Sequence, residues 1–372
     1  MKTIIGIIAM CISSQVMAQE PETVLSIVQE THEVTWYRKQ FDLWEKELDK
    51  DGKRPDAWYN YYMATRALRN LTFDEERKRH NEKCHQIAKA AYEAIPNSFE
   101  ANHLIWKDGG NDSEKISFLM KAAEIAPNDS RTFGDLMIHY ELNRNQAKFS
   151  EMCKKLSDVN ELPASILNWA YNVLAGLDEN AIIFTAGDND TYALWMIQGA
   201  KNFRTDVMVI NTHLAAMADY RSKLLQELEM PKLPEGEEMI FKHFFENSGD
   251  KSVYVAVSAI KQFDNEDIKK KLYLTGLEYK YSEDGIDNMS IIRRNYEKRY
   301  LLDYLGMQFT THVADKVAEN FEPLYLPSLV KLLMHYRSTE ETQKADTISK
   351  ILDKIGAKTD QDEYIQKLLK DC

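Results

Sequence analysis

The stretch Ile182-Ile183-Phe184-Thr185-Ala186-Gly187-Asp188-Asn189-Asp190 decides the fold of this chain. Its apolar first half is typical of a strand buried on both faces, and Gly187 with three polar residues then ends the strand. A helical pattern follows over 191–202, and a second apolar strand is predicted at 207–211. Two strands joined by a short helix form a βαβ unit. Residues 179–286 are therefore predicted to be a small doubly wound, Rossmann-like α/β domain.

Polar residues gather where the first of these strands ends. In open parallel sheets, ligands bind beyond the carboxyl ends of the strands, where the next helix also presents its free N–H groups. Asp190 or Asn189 can cap a helix that begins near Thr191, but Asp188 is left without a structural role. Asn211 and His213 end the next strand. We therefore predict a ligand-binding site formed by Gly187, Asp188, Asn189, Asp190, Thr191, Asn211 and His213.

Recognisable catalytic and metal-binding patterns are missing from the sequence. It contains no phosphate-binding glycine loop, no Gly-x-Ser-x-Gly elbow, no His-Glu-x-x-His and no Cys-x-x-Cys. Cys84, Cys153 and Cys372 lie far apart and do not form a disulfide framework. No catalytic residue, cofactor or metal site is predicted on this basis.

The segment before the first strand has the periodicity of helices, and part of it recurs. Ala90–Asn97 resembles Lys121–Asn128, and prolines follow at similar intervals at Pro96, Pro127 and Pro163. Helix pairs that repeat near 34 residues, with alanine packing positions and a closing proline, are typical of tetratricopeptide repeats. Residues 19–178 are predicted to form such a helical-repeat array, which generally binds a protein partner.

Aromatic residues are dense between Trp36 and Tyr62, within the first two predicted helices, the first of which covers 22–50. They either line a partner-binding groove or form the core between helices. We favour the core, because aromatic stripes at helical spacing are usually buried.

The C-terminal part combines one more strand with helices. Leu272–Tyr281 alternates apolar and polar residues, which predicts a single edge strand with one solvated face. Residues 287–372 are predicted to be helical, with a helix over 288–308 and a hairpin formed by 326–336 and 342–355.

Residues 1–18 resemble an export signal, with Lys2 before the apolar run Ile4–Ile12 and a small residue, Ala18, at the cleavage point. A membrane anchor is the alternative, but the run is shorter than the roughly 20 residues that a spanning helix needs. We therefore expect export and cleavage of this segment. Cleavage changes the formal charge from −12 to −13, which disfavours nucleic acid as a partner.

Residues Phe184–Trp195, Arg204–Val207 and Val209–Asn211 resemble the soluble C-terminal region of multi-pass membrane proteins of Bacteroidetes, which are similar to transmembrane O-mannosyltransferase-like proteins of animals. That family usually reads Thr-Asn-Gly-Asp-Asn-Asp-Thr-Phe-Pro-Leu-Trp, from which Ala186, Tyr192 and Ala193 depart. The resemblance extends over about 178–355. It implies a periplasmic location and a role beside a glycosyltransferase. Sugar transfer itself is not implied, because the membrane spans are absent.

These observations lead us to expect a periplasmic binding or scaffold protein. Its repeats would bind a protein partner, and its α/β domain would bind a small polar ligand such as a sugar. One alternative is an enzyme acting on glycans or sugar phosphates, in which Asp188 serves as acid, base or metal ligand with help from Asp190 or His213. Another is an accessory to a membrane glycosyltransferase. In a third, the α/β domain binds nothing and serves only to pack against the repeats.

Overall fold

The structure is a computed structural model that describes residues 20–110, 112–234, 240–305, 307 and 309–371. The predicted export signal lies outside these residues. The N-terminal half is helical, and its helices are α1 (Val34–Lys50), α2 (Pro55–Leu71), α3 (Asp74–Ala94), α4 (Phe99–Gly109), α5 (Ile116–Ile125), α6 (Phe133–Leu142), α7 (Gln146–Asp158) and α8 (Ala164–Gly176).

These helices pack as successive hairpins, α2 with α3, α4 with α5 and α6 with α7. Pro55 opens α2 at its first position, where a missing N–H is harmless. Pro96 and Pro127 stand just beyond the ends of α3 and α5. The predicted helical array is therefore confirmed as a stack of helix hairpins. Most aromatic residues of α1 and α2, including Tyr37, Trp44 and Tyr62, are buried, as the core interpretation expects, and the others are partly buried.

The first predicted helix is shorter than expected, because residues 20–33 form a non-helical segment, named here the N-terminal strap. Apart from a turn at 27–29, several of its polar backbone groups bond to side chains of the array. The Val24 N–H donates to Asn60 Oδ1 at 2.7 Å, and Trp44 Nε1 donates to the Glu22 carbonyl at 2.9 Å. These tertiary bonds satisfy polar groups that a helix would otherwise pair.

A five-stranded sheet follows the array, with β1 (Ile182–Thr185), β2 (Met208–Asn211), β3 (Val253–Ala256), β4 (Leu272–Leu274) and β5 (Glu278–Tyr281) in the order β2-β1-β3-β5-β4. β1 pairs in parallel with β2 and β3, whereas β5 pairs antiparallel with β3 and β4. The intervening helices are α9 (Asp188–Lys201), α10 (Thr212–Ala215), α11 (Ala218–Glu227), α12 (Ile240–Glu246) and α13 (Glu266–Lys269).

Both faces of the sheet are covered near β1. Adjacent strand residues point to opposite faces. Phe184 packs edge-on against Phe244 of α12 at a centroid distance of 5.4 Å. Thr185 Oγ1 lies 2.7 Å from Thr191 Oγ1 of α9. A parallel βαβ unit with helices on both faces is thus present, as part of a small mixed sheet.

The predicted single strand over Leu272–Tyr281 is wrong. It is a hairpin whose turn, Thr275–Leu277, separates β4 at the edge from β5 inside the sheet. Gly276 makes this turn possible, because a Cβ there would collide with the hydroxyl of Tyr300. The Thr275 N–H closes the turn by donating to the Glu278 carbonyl at 2.9 Å.

The C-terminal helices are α14 (Asn288–Arg294), α15 (Asp315–Ala318), α16 (Leu326–Ser338), α17 (Thr342–Thr359) and α18 (Asp362–Asp371). The hairpin predicted from 326 to 355 corresponds to α16 and α17. The helix predicted over 288–308 is too long, since α14 ends at Arg294 and a π-helical turn follows at Asn295–Arg299. The chain then extends because the Leu301 backbone bonds to Asn172 of α8.

Apolar packing divides the described residues into two clusters. One lies within α1–α4, and the other runs from Trp106 through the sheet to Ile365 in α18. The last helices of the array therefore share a core with the sheet and the C-terminal helices. Among the described helices, none is both long and apolar enough to cross a bilayer.

Candidate binding cleft

Helix α9 begins three residues earlier than expected. Gly187 is its N-cap and Asp188 its first residue, so Thr191 lies within the helix. Gly187 suits this position because a Cβ there would approach Asp190 Oδ1 to 3.0 Å. Asp188 is thereby placed in the first helical turn, where the helix dipole stabilises a negative charge.

Asp190 is a structural residue. Its carboxylate accepts hydrogen bonds from the Ala186 N–H at 3.1 Å, the Thr191 N–H at 3.0 Å and the Ser258 hydroxyl at 2.7 Å. Burial raises the pKa of Asp190, and these bonds oppose the rise. Ser258 follows β3, so the crevice between the ends of β1 and β3, where such folds often bind ligands, is occupied by the protein's own side chains.

Asn211 and Thr191 are also used by the fold. Asn211 Nδ2 donates to the Ala186 carbonyl at 3.1 Å and to Thr191 Oγ1 at 2.9 Å. Asn211 Oδ1 accepts from the His213 and Leu214 N–H groups and so caps α10. The prediction that the ends of these strands meet is correct, but their amides and hydroxyls bind one another.

Asn189 connects the α/β region to the N-terminal strap. Its Nδ2 donates to the Val28 carbonyl at 2.9 Å. The next strap residue, Gln29, donates through Nε2 to Glu161 Oε1, which follows α7, at 2.7 Å. Asn189 therefore does not cap α9; it holds the strap in place beside the end of β1.

Asp188 differs from its neighbours because it accepts no hydrogen bond from any described residue. Its side chain lines a cleft of about 400 Å³ between the helical array and α9, walled by the strap, α2, α4 and α6. Burial raises its pKa, while the charges of Arg66 and Lys107 act in the opposite direction. Asp188 remains accessible from the cleft, so it can accept a ligand's hydrogen bond.

The wall opposite Asp188 contains a buried ion cluster. His103 Nε2 lies 2.7 Å from Asp135 Oδ2, and Lys107 Nζ lies 3.3 Å from the same oxygen. Burial alone would raise the pKa of Asp135, but Lys107 and His103 hold it well below its usual range. Nearby, the Arg131 guanidinium covers the ring of Tyr59 with Cζ 4.6 Å from the centroid. These groups shape a rigid, charged wall.

Tyr192 joins the two halves of the molecule at this cleft. Its ring packs so close to Gly134 of α6 that a Cβ there would lie 3.3 Å from it. The ring also stacks on Trp195, and its hydroxyl has no hydrogen-bond partner among the residues described. The polar end of Tyr192 is thus a further free group in the cleft.

Of the seven predicted site residues, Asp188 alone lines the cleft. Gly187, Asn189, Asp190, Thr191 and Asn211 build the loop around it. His213 is exposed and does not line the cleft.

Sequence reasoning missed the residues of the opposite wall. Arg66 was the detectable one, because it interrupts the small and apolar run Tyr61–Leu68, where a charge is unexpected. Asp135 and Tyr59 face Asp188 only because the array packs against α9. The helical periodicity of the sequence does not predict that packing.

Other polar clusters are satisfied internally. A cavity of about 350 Å³ at the amino end of the sheet is lined by three carboxylates, and each is paired, as with Arg144 Nε and Glu227 at 2.8 Å. Glu278 is fully buried, which raises its pKa to about 8, but Thr275 and Tyr300 surround it. Within the described part of the chain, no three His, Cys, Asp or Glu residues converge to hold a metal ion.

A comparison with family models matches residues 166–234 to TMEM260-associated domain 2. The match is less than a fifth of the chain and runs from within α8 through β1, α9 and β2 to beyond α11, so it includes Asp188. It agrees with the resemblance that the motif after β1 suggests. No curated protein matches this chain.

Solved structures give only loose similarity. A monomeric IFIT1 mutant with m7Gppp-AAAA is 14% identical with a TM-score of 0.30, over 86% of this chain and 68% of that one. Yeast Tom70 is 12% identical with a TM-score of 0.28, over 91% of this chain and 61% of that one. Scores this low support no inference, so the repeat description rests on the helix hairpins themselves.

Proposed function

We propose that this chain is an exported, periplasmic binding protein of the scaffold type. Its helical array binds a protein partner, and the cleft between the array and α9 binds a small polar ligand through Asp188. One observation carries the proposal. Asp188 is free in a cleft, whereas Asp190, Asn189, Thr191 and Asn211 around it are consumed by the fold.

The dimensions and lining of the cleft support a small ligand. Its volume of about 400 Å³ falls within the roughly 300–1,000 Å³ that is usual for small-molecule sites. Its walls combine apolar residues such as Met63 and Ile138 with a few charged ones, as in sites that use polar groups for orientation. The strap closes one side, so the site is preformed.

A second candidate function is an accessory role beside a membrane glycosyltransferase. The match of residues 166–234 to TMEM260-associated domain 2 favours it, and a cleft that takes a sugar or glycan is compatible with it. The enzyme alternative requires Asp190 or His213 to assist Asp188. Asp190 is bound to backbone N–H groups, and His213 does not line the cleft.

The proposal is tested by thermal-shift screening of the purified chain against neutral sugars, sugar acids, sugar phosphates and dipeptides, with calorimetry on each hit. We expect a ligand whose affinity falls at least tenfold in Asp188→Ala, a loss of about 1.4 kcal/mol or more. The matched control is Asp219→Ala, which removes an exposed carboxylate from the first turn of α11. It should bind as the parent does.

Two outcomes contradict the proposal. In one, no compound shifts the melting temperature. In the other, a compound binds Asp188→Ala as tightly as the parent chain, so the free carboxylate is not part of the site.

A further inference from the structure

The cleft can be assigned a ligand chemistry from the charges that line it. Most of its charged side chains already have partners. Asp135 is bonded to His103 and Lys107, Arg131 to Glu100 and Asp129, and Glu161 to Gln29. Two charged side chains of the cleft remain that form no hydrogen bond or ion pair with any described residue. They are Arg66 and Asp188.

Arg66 projects from α2 with no acceptor. Its Nε is buried without a hydrogen-bond partner, and no described carboxylate oxygen lies within 4.0 Å of its nitrogens. A buried donor such as this Nε is costly to leave unpaired unless an acceptor satisfies it. The planar fork of guanidinium donors matches a carboxylate or phosphate in a bidentate arrangement.

Asp188 presents the complementary group to the same cleft. Arg66 is near enough to lower the pKa of Asp188, but the two do not form an ion pair. Both side chains line the same cleft, and no nitrogen of Arg66 lies within 4.0 Å of a carboxylate oxygen of Asp188. A simple anion would be repelled by Asp188, and a simple cation by Arg66. A ligand that carries an anionic group together with donors satisfies both.

We infer that the ligand of this cleft combines a carboxylate or phosphate, bound by Arg66, with hydroxyl or ammonium donors, bound by Asp188. The Tyr192 hydroxyl, which also lines the cleft, is a further polar group that can bond to either end. This inference rests on the proposed function, since it names the chemistry of the same cleft. Sugar acids, sugar phosphates and zwitterionic peptides share the required groups.

Calorimetry with four probes tests the inference on the full chain. The probes are glucuronate, glucose 6-phosphate, glycylglycine and the neutral control glucose. We expect at least one of the first three to bind at least tenfold more tightly than glucose. Preference for glucuronate or glucose 6-phosphate identifies a sugar source, and preference for glycylglycine identifies a peptide source.

Variants of the two residues complete the test. Arg66→Met should abolish the preference over glucose, and Arg66→Lys, which keeps the charge without the fork, should retain part of it. Asp188→Asn should weaken the preferred probe at least tenfold. Arg69→Met is the matched control, because Arg69 lies on the same helix outside the cleft and should leave binding unchanged.

The outcomes distinguish a failure of the assigned ligand chemistry from a failure of the proposed binding function. If glucose binds as tightly as the charged probes, or if Arg66→Met keeps the preference, the inference is overturned and a neutral-ligand site remains. If none of the four probes binds, the inference is overturned as well. The proposed function then depends on the wider screen alone.

Discussion

The two ends of the parallel strands carry similar numbers of carboxylates but use them differently. At the amino end, Asp178 accepts from Ser252, Tyr254 and Lys280, the last at 2.6 Å. Asp206 accepts from Arg204 and the Asn180 N–H. At the carboxyl end, Asp190 is saturated in the same way, but Asp188 has no partner among the described residues.

The pKa values follow this division. Burial opposes ionisation of Asp178, yet its hydrogen bonds, led by Lys280, lower its pKa to about 2. The Arg204 hydrogen bond lowers the pKa of Asp206 to about 2 as well. At the carboxyl end, burial raises the pKa of Asp188 and Asp190. The carboxylates at the amino end are thus ionised and bonded within the protein. At the carboxyl end, Asp188 is available to bind a ligand.

The largest effect on stability is expected from Asp190→Ala. This change leaves two backbone N–H groups and the Ser258 hydroxyl without their acceptor. Since hydrogen bonds to charged groups contribute about 1.5–3 kcal/mol each and are not additive, we expect a loss of about 3 kcal/mol. Urea denaturation followed by circular dichroism measures it.

Asn189→Ala provides the comparison for Asp190. It removes one neutral hydrogen bond to the strap and should cost about 1 kcal/mol. A loss below about 1 kcal/mol in Asp190→Ala would mean that the loop after β1 does not depend on its carboxylate, and the contrast with Asp188 would disappear.

An intermediate effect is expected from Asp178→Asn at the amino end. The pKa of Asp178 is lowered in the folded state, so its contribution is present above its ordinary pKa of 3.8 and is lost as the pH falls towards about 2. Asp178 is 37% exposed. Allowing for solvent screening, we expect the variant to be about 1 kcal/mol less stable at pH 7.

The pH dependence distinguishes this electrostatic contribution from a packing effect. The difference between Asp178→Asn and the parent should shrink between pH 4 and pH 2, in denaturation series at each pH. Asp219→Asn, on the exposed surface of α11, should show no such trend. A difference that stays constant down to pH 2 would show that Asp178 contributes through packing.

The sequence predicts contacts between residues that are close in the chain better than contacts between distant ones. The loop after β1 and its meeting with Asn211 follow from local strand patterns, and so does the pairing of Arg204 with Asp206, two residues apart. The helical array follows from its spacing and prolines. Ser258 as the third partner of Asp190 was not predictable, because it depends on β3 pairing with β1 across more than sixty residues of sequence.

The cleft required knowledge that no local pattern carries. Arg66, Asp135 and Tyr192 meet only because α9 packs against the array, which places Tyr192 on Gly134. The strap was missed for a related reason. Residues 22–33 were included in the first predicted helix, but bonds from Val24 and to Glu22 hold this segment in a non-helical conformation. Tertiary hydrogen bonds overrode local propensity in that segment.

The smallest effect on stability is expected where the effect on binding is largest, in Asp188→Asn. No hydrogen bond is lost, so the free energy of unfolding should change by less than about 0.5 kcal/mol.

The pKa of Asp188 is raised in the folded state, so its contribution to stability is complete below pH 3.8 and is lost as the pH rises through that raised value. The substituted amide carries no charge to desolvate, and relative to the parent the variant should gain stability between pH 4 and pH 7. Denaturation at both values checks the sign, and a loss above about 1 kcal/mol at pH 7 would reveal a structural partner for Asp188. The two ends of the sheet would then be alike, and the cleft would have no carboxylate to offer.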